Sequence, residues 1–355
     1  MSVWPISPEP FRIEPIFSPR IWGSRSLAPL FPEKANLTEP LGEAWLTGLD
    51  CKIADGPFAG KTLAQAWPEM TTAWRGLDFE GDVDFPILLK FIFPKDKLSI
   101  QVHPDDAYAA AHEQAAGGRG KTEMWHIVSA EPGARLLAGL KPGATKEMFC
   151  AALVNRSLEE LFQPHDVHAG DTFFIPAGTP HTIGADMVVC EVQEYSDLTY
   201  RVYDYGRVDG KGKPRELHVE KALEVMKFGV AAPAKVAPLR LPGQSGITKT
   251  LLSACSYFAA ERWEFRATVP LESTSENFDL LVILDGTGCI HWQGAPLPYQ
   301  RGHCWFIPAS LGKFSLQPEQ STAAIRTYVP DLPRLRAALR EAAIPETLLA
   351  QTVFA

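Results

Sequence analysis

The chain has 355 residues, 46% apolar and 21% charged, proportions of an ordinary folded protein that exclude a disordered, collagen-like or coiled-coil chain. Thirty-four basic against 42 acidic residues give a net charge of −8 with no lysine or arginine block, which argues against nucleic-acid binding but allows an anionic small molecule in a locally basic pocket. Thirty prolines and 27 glycines, spread throughout, exclude a helical bundle and predict short strands joined by many turns.

Residues 1–50 are proline-rich and read as an irregular opening segment with two turn-like clusters, Ile21-Trp22-Gly23-Ser24 and Leu41-Gly42-Glu43-Ala44-Trp45. Residues 61–76 have helical apolar spacing interrupted at Pro68. Phe85–His103 reads as two apolar strands around a Pro-Lys-Asp-Lys turn, followed by a short helix from Asp105 to Ala116 that Gly117-Gly118 stops. Strand-like runs recur at 123–128, 134–140, 171–176, 187–195 and 199–205, with one helix expected at 145–162 and another at 216–227. The proline-spotted passage 230–243 marks a boundary between a first unit, 1–240, and a second, 241–355. Beyond it come further closely spaced strands and a closing helix at 332–350.

One segment repeats. Gly170-Asp-Thr-Phe-Phe-Ile-Pro-Ala-Gly-Thr-Pro-His181 aligns without gaps to Gly302-His-Cys-Trp-Phe-Ile-Pro-Ala-Ser-Leu-Gly-Lys313. A shared strand-into-turn signature in two strand-rich halves predicts duplicated antiparallel barrels or sandwiches. His181 in the first copy is Lys313 in the second, so any ligand of that histidine belongs to the first copy alone.

The chemistry concentrates in the first copy. Strand alternation puts Ser99, Gln101 and His103 on one face, and Lys121, Glu123 and Trp125 on another. His181 follows a rigid Pro-Ala-Gly-Thr-Pro turn. Taken singly, each of these reads as an ordinary surface or structural residue. Taken together, His103, Glu123 and His181, with Gln101 as a further oxygen donor, form two imidazoles and a carboxylate with an open position, a set suited to catalytic zinc or another divalent first-row metal. Glu191 on an apolar run is equally compatible with a salt bridge and with catalysis. Arg201, Lys97, Lys121 and Lys90 near such a pocket favour a phosphorylated or carboxylated substrate.

These residues resemble the class I, cupin-type mannose-6-phosphate isomerases in their short bacterial form. The resemblance rests on Trp22-Gly23, Gly42-Glu43-x-Trp45, LLKFIFPKDKLSIQVHPDD (88–106), GKTEMW (120–125), FFIPAGTPHTIG (173–184) and the Ser196-Asp197 to Arg207 tail, in the same order. It implies a mainly β fold of two cupin (jelly-roll) barrels with helical insertions and a C-terminal helix, the metal site lying in the first barrel. It implies one zinc ion (Zn2+) per chain on Gln101, His103, Glu123 and His181. Arg201, Glu191 and Lys121 would be catalytic, Ser99 and Lys97 substrate-binding, and the reaction the interconversion of mannose 6-phosphate and fructose 6-phosphate through a metal-stabilised cis-enediol. Departures at Ser24-Arg25 and Leu46-Thr47-Gly48 fall outside the metal set. Another cupin sugar-phosphate isomerase, a metal-dependent cupin oxygenase and a non-catalytic sugar-binding cupin stand as alternatives.

The six cysteines are scattered with no CxxC, and neither a signal-like start nor an 18-residue apolar run occurs. A cytoplasmic monomer or small homo-oligomer with no nucleic-acid or membrane partner is therefore expected.

Overall fold

The computed structural model describes residues 7–79, 84–230, 235–243 and 245–354, so part of the expected boundary passage lies outside the described residues. The chain opens with β1 (Phe11–Ile13), β2 (Ile16–Ser24), β3 (Leu41–Trp45), β4 (Ile87–Ile92) and β5 (Ile100–Val102). It continues through β6 (Glu123–Ala130), β7 (Arg135–Leu140), β8 (Phe162–Asp166), β9 (Thr172–Ile175), β10 (His181–Ile183), β11 (Met187–Glu194) and β12 (Tyr200–Tyr203). After residue 230 follow β13 (Leu239–Arg240), β14 (Ile247–Ala254), β15 (Ala259–Phe265), β16 (Val269–Glu272) and β17 (Asp279–Asp285). The last strands are β18 (Thr287–His291), β19 (Leu297–Gln300), β20 (Cys304–Ile307), β21 (Lys313–Pro318) and β22 (Thr322–Tyr328).

The duplication is visible strand by strand. The first barrel pairs β2-β3-β4-β11-β6-β9 in one sheet and β5-β10-β7-β8 in the other; the second pairs β13-β14-β15-β22-β17-β20 and β16-β21-β18-β19 in the same order. His181 and Lys313 each open the strand after the repeated turn. To this common plan the first barrel adds β12 beside β5, and the second receives β1 beside β20.

Strand β4 is apolar except at Lys90 because both of its faces are covered. Ile87, Leu89 and Phe91 join a core that also contains Phe278, Leu280, Val282, Phe306 and Ile325 of the second barrel, while Ile92 faces the first barrel's own interior with Trp125, Ile127 and Val189.

Three local expectations are corrected. The two turn-like clusters lie in strands β2 and β3, which cross so closely that a Cβ on Gly23 would stand 2.5 Å from the Leu41 carbonyl carbon, and one on Gly42 would stand 2.5 Å from the Arg20 Cβ. Glycine permits that approach, and its lack of a side chain hides the strand from a pattern reading. The closing helix is two, one over Leu332–Glu341 and one over Glu346–Leu349, separated at Pro345. The expected 145–162 helix becomes an α-helix over Lys146–Asn155 and a 3-10 turn over Leu158–Leu161, parted where Arg156 takes a positive φ of 59°.

Candidate metal and substrate site

Two rungs, one on each sheet of the first barrel, build the site. On one sheet Gln101 of β5 pairs with His181 of β10 on one side and with Arg201 of β12 on the other. On the facing sheet Glu191 of β11 lies between Lys90 of β4 and Trp125 of β6, with Glu123 opposite Gln193 two rungs along. His103 follows the end of β5. Its carbonyl accepts the Gly178 N–H at 2.8 Å, which ties it to the turn that aims His181. Gly178 has φ 83°, and a Cβ there would meet the Val225 carbonyl oxygen at 2.8 Å, so this turn requires glycine.

His103, Glu123 and His181 each offer a ligand atom, and these atoms lie within 4.8 Å of one another. His103 Nδ1 is 2.8 Å from the Leu198 carbonyl, and His181 Nδ1 is 2.8 Å from the Thr179 carbonyl. A carbonyl can only accept, so each Nδ1 carries the proton and each Nε2 turns a lone pair toward Glu123, 3.6 Å away for His103 and 3.4 Å for His181. Burial holds both imidazoles neutral: it depresses His103, with Lys121 adding to the effect, and takes His181 down to about 3. Glu123 resists the pull of burial toward protonation because the Lys121 ammonium beside it holds its carboxyl well below the ordinary value. Its Oε1 is buried and has no hydrogen-bond partner. Two inward lone pairs beside an unsatisfied buried carboxylate oxygen are a donor set that fits a divalent cation. Gln101 completes the group, its Nε2 3.3 Å from His181 Nε2 and its Oε1 accepting from Ser99 Oγ at 3.2 Å.

Of this group Gln101 reaches a cleft of about 360 Å3, whose lining also includes Ser99, Lys121, Glu191 and Arg201. Arg20, Lys90 and Arg215 add positive charge, and Glu43 and Asp197 negative. Arg201 donates from Nε to Ser99 Oγ at 3.2 Å and from Nη1 to the Glu216 carbonyl at 3.1 Å. Burial first, and then repulsion from Arg215, lower its pKa, with Arg20 and Arg207 adding further repulsion. Lys121 donates to Glu123 and lies 3.2 Å from His103 Nε2. Glu191 accepts from Trp125 Nε1 at 3.0 Å, and burial raises its pKa to about 7.

Lys97 is the expected site residue that the fold does not bring in. The resemblance put Lys97 on the substrate side, but it lies ahead of strand β5, which begins at Ile100, and outside the cleft lining. Its ammonium pairs with Glu159 at 2.6 Å and borders a separate cleft of about 420 Å3. Lys90 takes the cationic place instead, donating to Asp197 at 2.7 Å. Sequence reasoning missed Arg20, Glu43 as a cleft residue, and Arg215. Arg20 clamps Glu43 through two bonds of 3.1 and 2.8 Å, so a strand reading of residues 16–45 would have found both.

Register also explains the second barrel. Glu123 lies opposite Ile175 as Asp279 lies opposite Ile307, and Gln101 opposite His181 as Glu272 opposite Lys313. By the same matching Lys90 corresponds to Glu261, Glu191 to Arg326 and Glu43 to Lys249, so three charged positions exchange sign. Arg326 donates to Glu261 at 3.1 Å and pairs with Asp279 at 2.8 Å, an internal cation on the carboxylates. Arg326→Met is expected to destabilise the protein by about 3 kcal/mol in denaturant unfolding, since it leaves two enclosed carboxylates unpaired. An unchanged midpoint would mean that water already solvates them.

Sequence comparison gives two matches to family models: phosphomannose isomerase type I, catalytic domain, over residues 11–125, and mannose-6-phosphate isomerase, cupin domain, over residues 247–328. The chain is 33% identical over 316 residues to "Mannose-6-phosphate isomerase ManA" of Bacillus subtilis, covering 87% of this chain and 96% of that protein. It is 33% identical over 286 residues to a mannose-6-phosphate isomerase of Streptococcus mutans, covering 79% and 87%. Among solved structures, the mannose 6-phosphate isomerase from Bacillus subtilis superposes with a TM-score of 0.81 at 29% identity, over 90% of this chain and 99% of that one.

Proposed function

Because the chain belongs to the type I phosphomannose isomerases, we propose that its two-rung site carries out the interconversion of mannose 6-phosphate and fructose 6-phosphate. The protein is an aldose–ketose isomerase. What supports assigning that activity to this cleft is one observation: the unsatisfied Glu123 carboxylate oxygen and two imidazole lone pairs converge beside a cleft with five basic side chains, in a chain of net charge −8.

A divalent ion, which we take to be zinc, would be held by His103, Glu123, His181 and the Gln101 amide after a half-turn of that amide, and would supply Lewis acidity toward the neighbouring C1 and C2 oxygens of the sugar. The rest of the work falls to side chains. Glu191 is the base: a carboxylate poised near neutrality takes the proton from C2 of mannose 6-phosphate and returns it to C1 through a cis-enediol, while the hydroxyl proton passes from O2 to O1. Lys121, 3.9 Å from Glu191 Oε1, keeps positive charge beside the oxygens on which negative charge develops. Arg201, steadied by Ser99, forms with Arg20 and Arg215 the cationic side that receives the phosphate. The cytoplasm is the proposed location, in keeping with a phosphorylated substrate and six free cysteines.

The test is a coupled assay of mannose 6-phosphate conversion before and after chelation, with elemental analysis and metal add-back. Activity should fall with metal content and return with zinc, other divalent ions restoring it to differing extents. Full activity in protein shown to be metal-free would overturn the assignment.

A further inference from the structure

The first barrel has a tryptophan between the two halves of its chemistry. Trp125 stands two residues beyond Glu123 on β6, opposite Glu191 on β11, and is 1% exposed. Its indole N–H donates to Glu191 Oε1 at 3.0 Å, and its ring meets the His181 ring edge-on, with centroids 5.1 Å apart and planes at 76°. Glu191 has charged neighbours on every side: Lys90 on β4, Lys121 ahead of β6, Glu123 on β6 and Glu43 on β3. Both lysines lie 3.9 Å from it, beyond hydrogen-bond distance. The indole therefore makes the single hydrogen bond to the Glu191 side chain among the described residues. The two lysines attract the carboxylate only from a distance, so the indole donor is the directional contact that fixes its rotation. With Oε1 held, Oε2 is the oxygen left to accept a proton.

We propose that Trp125 is a positioning residue for the isomerisation: its N–H fixes Glu191 with Oε2 toward the substrate, while its ring separately fixes the plane of His181. This rests on the reading of Glu191 as the base. The two contacts use different parts of one side chain and can be separated by substitution. Trp125→Phe keeps an aromatic ring against His181 and loses the donor. Trp125→Leu loses both.

The experiment measures kcat, KM for mannose 6-phosphate and bound zinc in the zinc-loaded full chain, for Trp125→Phe, Trp125→Leu, Glu191→Gln and the Glu191→Gln/Trp125→Phe double variant. Trp125→Phe should lower kcat by about tenfold or more with KM and zinc content near the parent's, because orientation of the base is lost while ground-state binding is kept. In the Glu191→Gln background the same change should have no further effect, since the residue it orients is already disabled. Trp125→Leu should additionally weaken zinc retention in competition with a chelator. If Glu191→Gln turns over like the parent, the reading of Glu191 as base fails and the proposal with it. If Glu191→Gln is inactive while Trp125→Phe matches the parent in kcat, or loses kcat only in proportion to lost zinc, the base reading stands and the positioning role is overturned.

Discussion

Glu123→Ala is expected to yield a folded protein that retains no stoichiometric metal and converts mannose 6-phosphate at least about 10³-fold more slowly than the parent. The size of the effect follows from the placement of this carboxylate. Glu123 is fully buried, with one oxygen engaged by Lys121 and the other turned toward His181 without a hydrogen bond. Removing it deletes the only anionic donor among the four proposed ligands. It also leaves the Lys121 ammonium facing two neutral imidazoles, so a second cation would be repelled rather than held. Elemental analysis beside the coupled assay checks the result. Retention of both metal and activity within tenfold of the parent would remove Glu123 from the ligand set. His181→Ala should show the same pair of losses, and circular dichroism should separate either from misfolding.

Arg201→Ala is expected to lower kcat/KM by about 10²- to 10³-fold without changing metal content. Arg201 lies one strand from Gln101 and two from His181 on a single rung, so its guanidinium has a fixed distance from the proposed metal ligands. Ser99 holds its Nε and the Glu216 carbonyl holds Nη1. Nη2 makes no hydrogen bond among the described residues and is the donor available to substrate. Arg201→Lys should recover only part of the loss, because an ammonium keeps the charge but cannot use the Ser99 and Glu216 acceptors while also reaching an anion. Inhibition by inorganic phosphate gives an independent reading: weaker inhibition in Arg201→Ala places the arginine on the phosphate, whereas unchanged phosphate affinity with a lower kcat places it on the reacting carbons. Parent-like kinetics in both respects would exclude a substrate role.

The sequence was most informative where function depends on short segments. His103, Glu123 and His181 each sit in a few residues whose strand or turn character could be read locally, and their convergence follows from two barrel sheets that the repeated Phe-Ile-Pro-Ala turn already implied. It was least informative where the fold breaks local periodicity. Lys97 was placed on the substrate side by resemblance alone, and it lies in a bend whose shape rests on Arg207 donating to the Lys97 carbonyl and on the Leu98 N–H donating to the Ile183 carbonyl. Arg20 was hidden because β2 contains Pro19 and Gly23 and shows no alternating burial, and Glu43 because β3 is only five residues long and its Gly42 reads as a turn. Arg215 lies in a segment with no periodicity at all, and it is placed by a charge partner, Asp204, at 2.7 Å. The exchange of sign between the barrels could not have been read from composition, since it appears only when strand registers are matched.

The strand β1 has a consequence for how the molecule is made. It pairs Phe11 with Phe306 and Ile13 with Cys304, closing an edge of the second barrel with residues that leave the ribosome almost 300 positions earlier. Throughout synthesis of the first barrel this strand has only the 52–54 segment to bond, through the Ile13–Ile53 bridge, and β20 has an open edge until β1 reaches it. The two barrels therefore complete each other late, through a contact of long sequence separation that slows folding and couples the halves into one cooperative unit. A gene cut at residue 240 would give two polypeptides, the second of which lacks both edge strands of its larger sheet, β1 and β13. Co-expression of the halves should rescue solubility that the C-terminal half does not have alone.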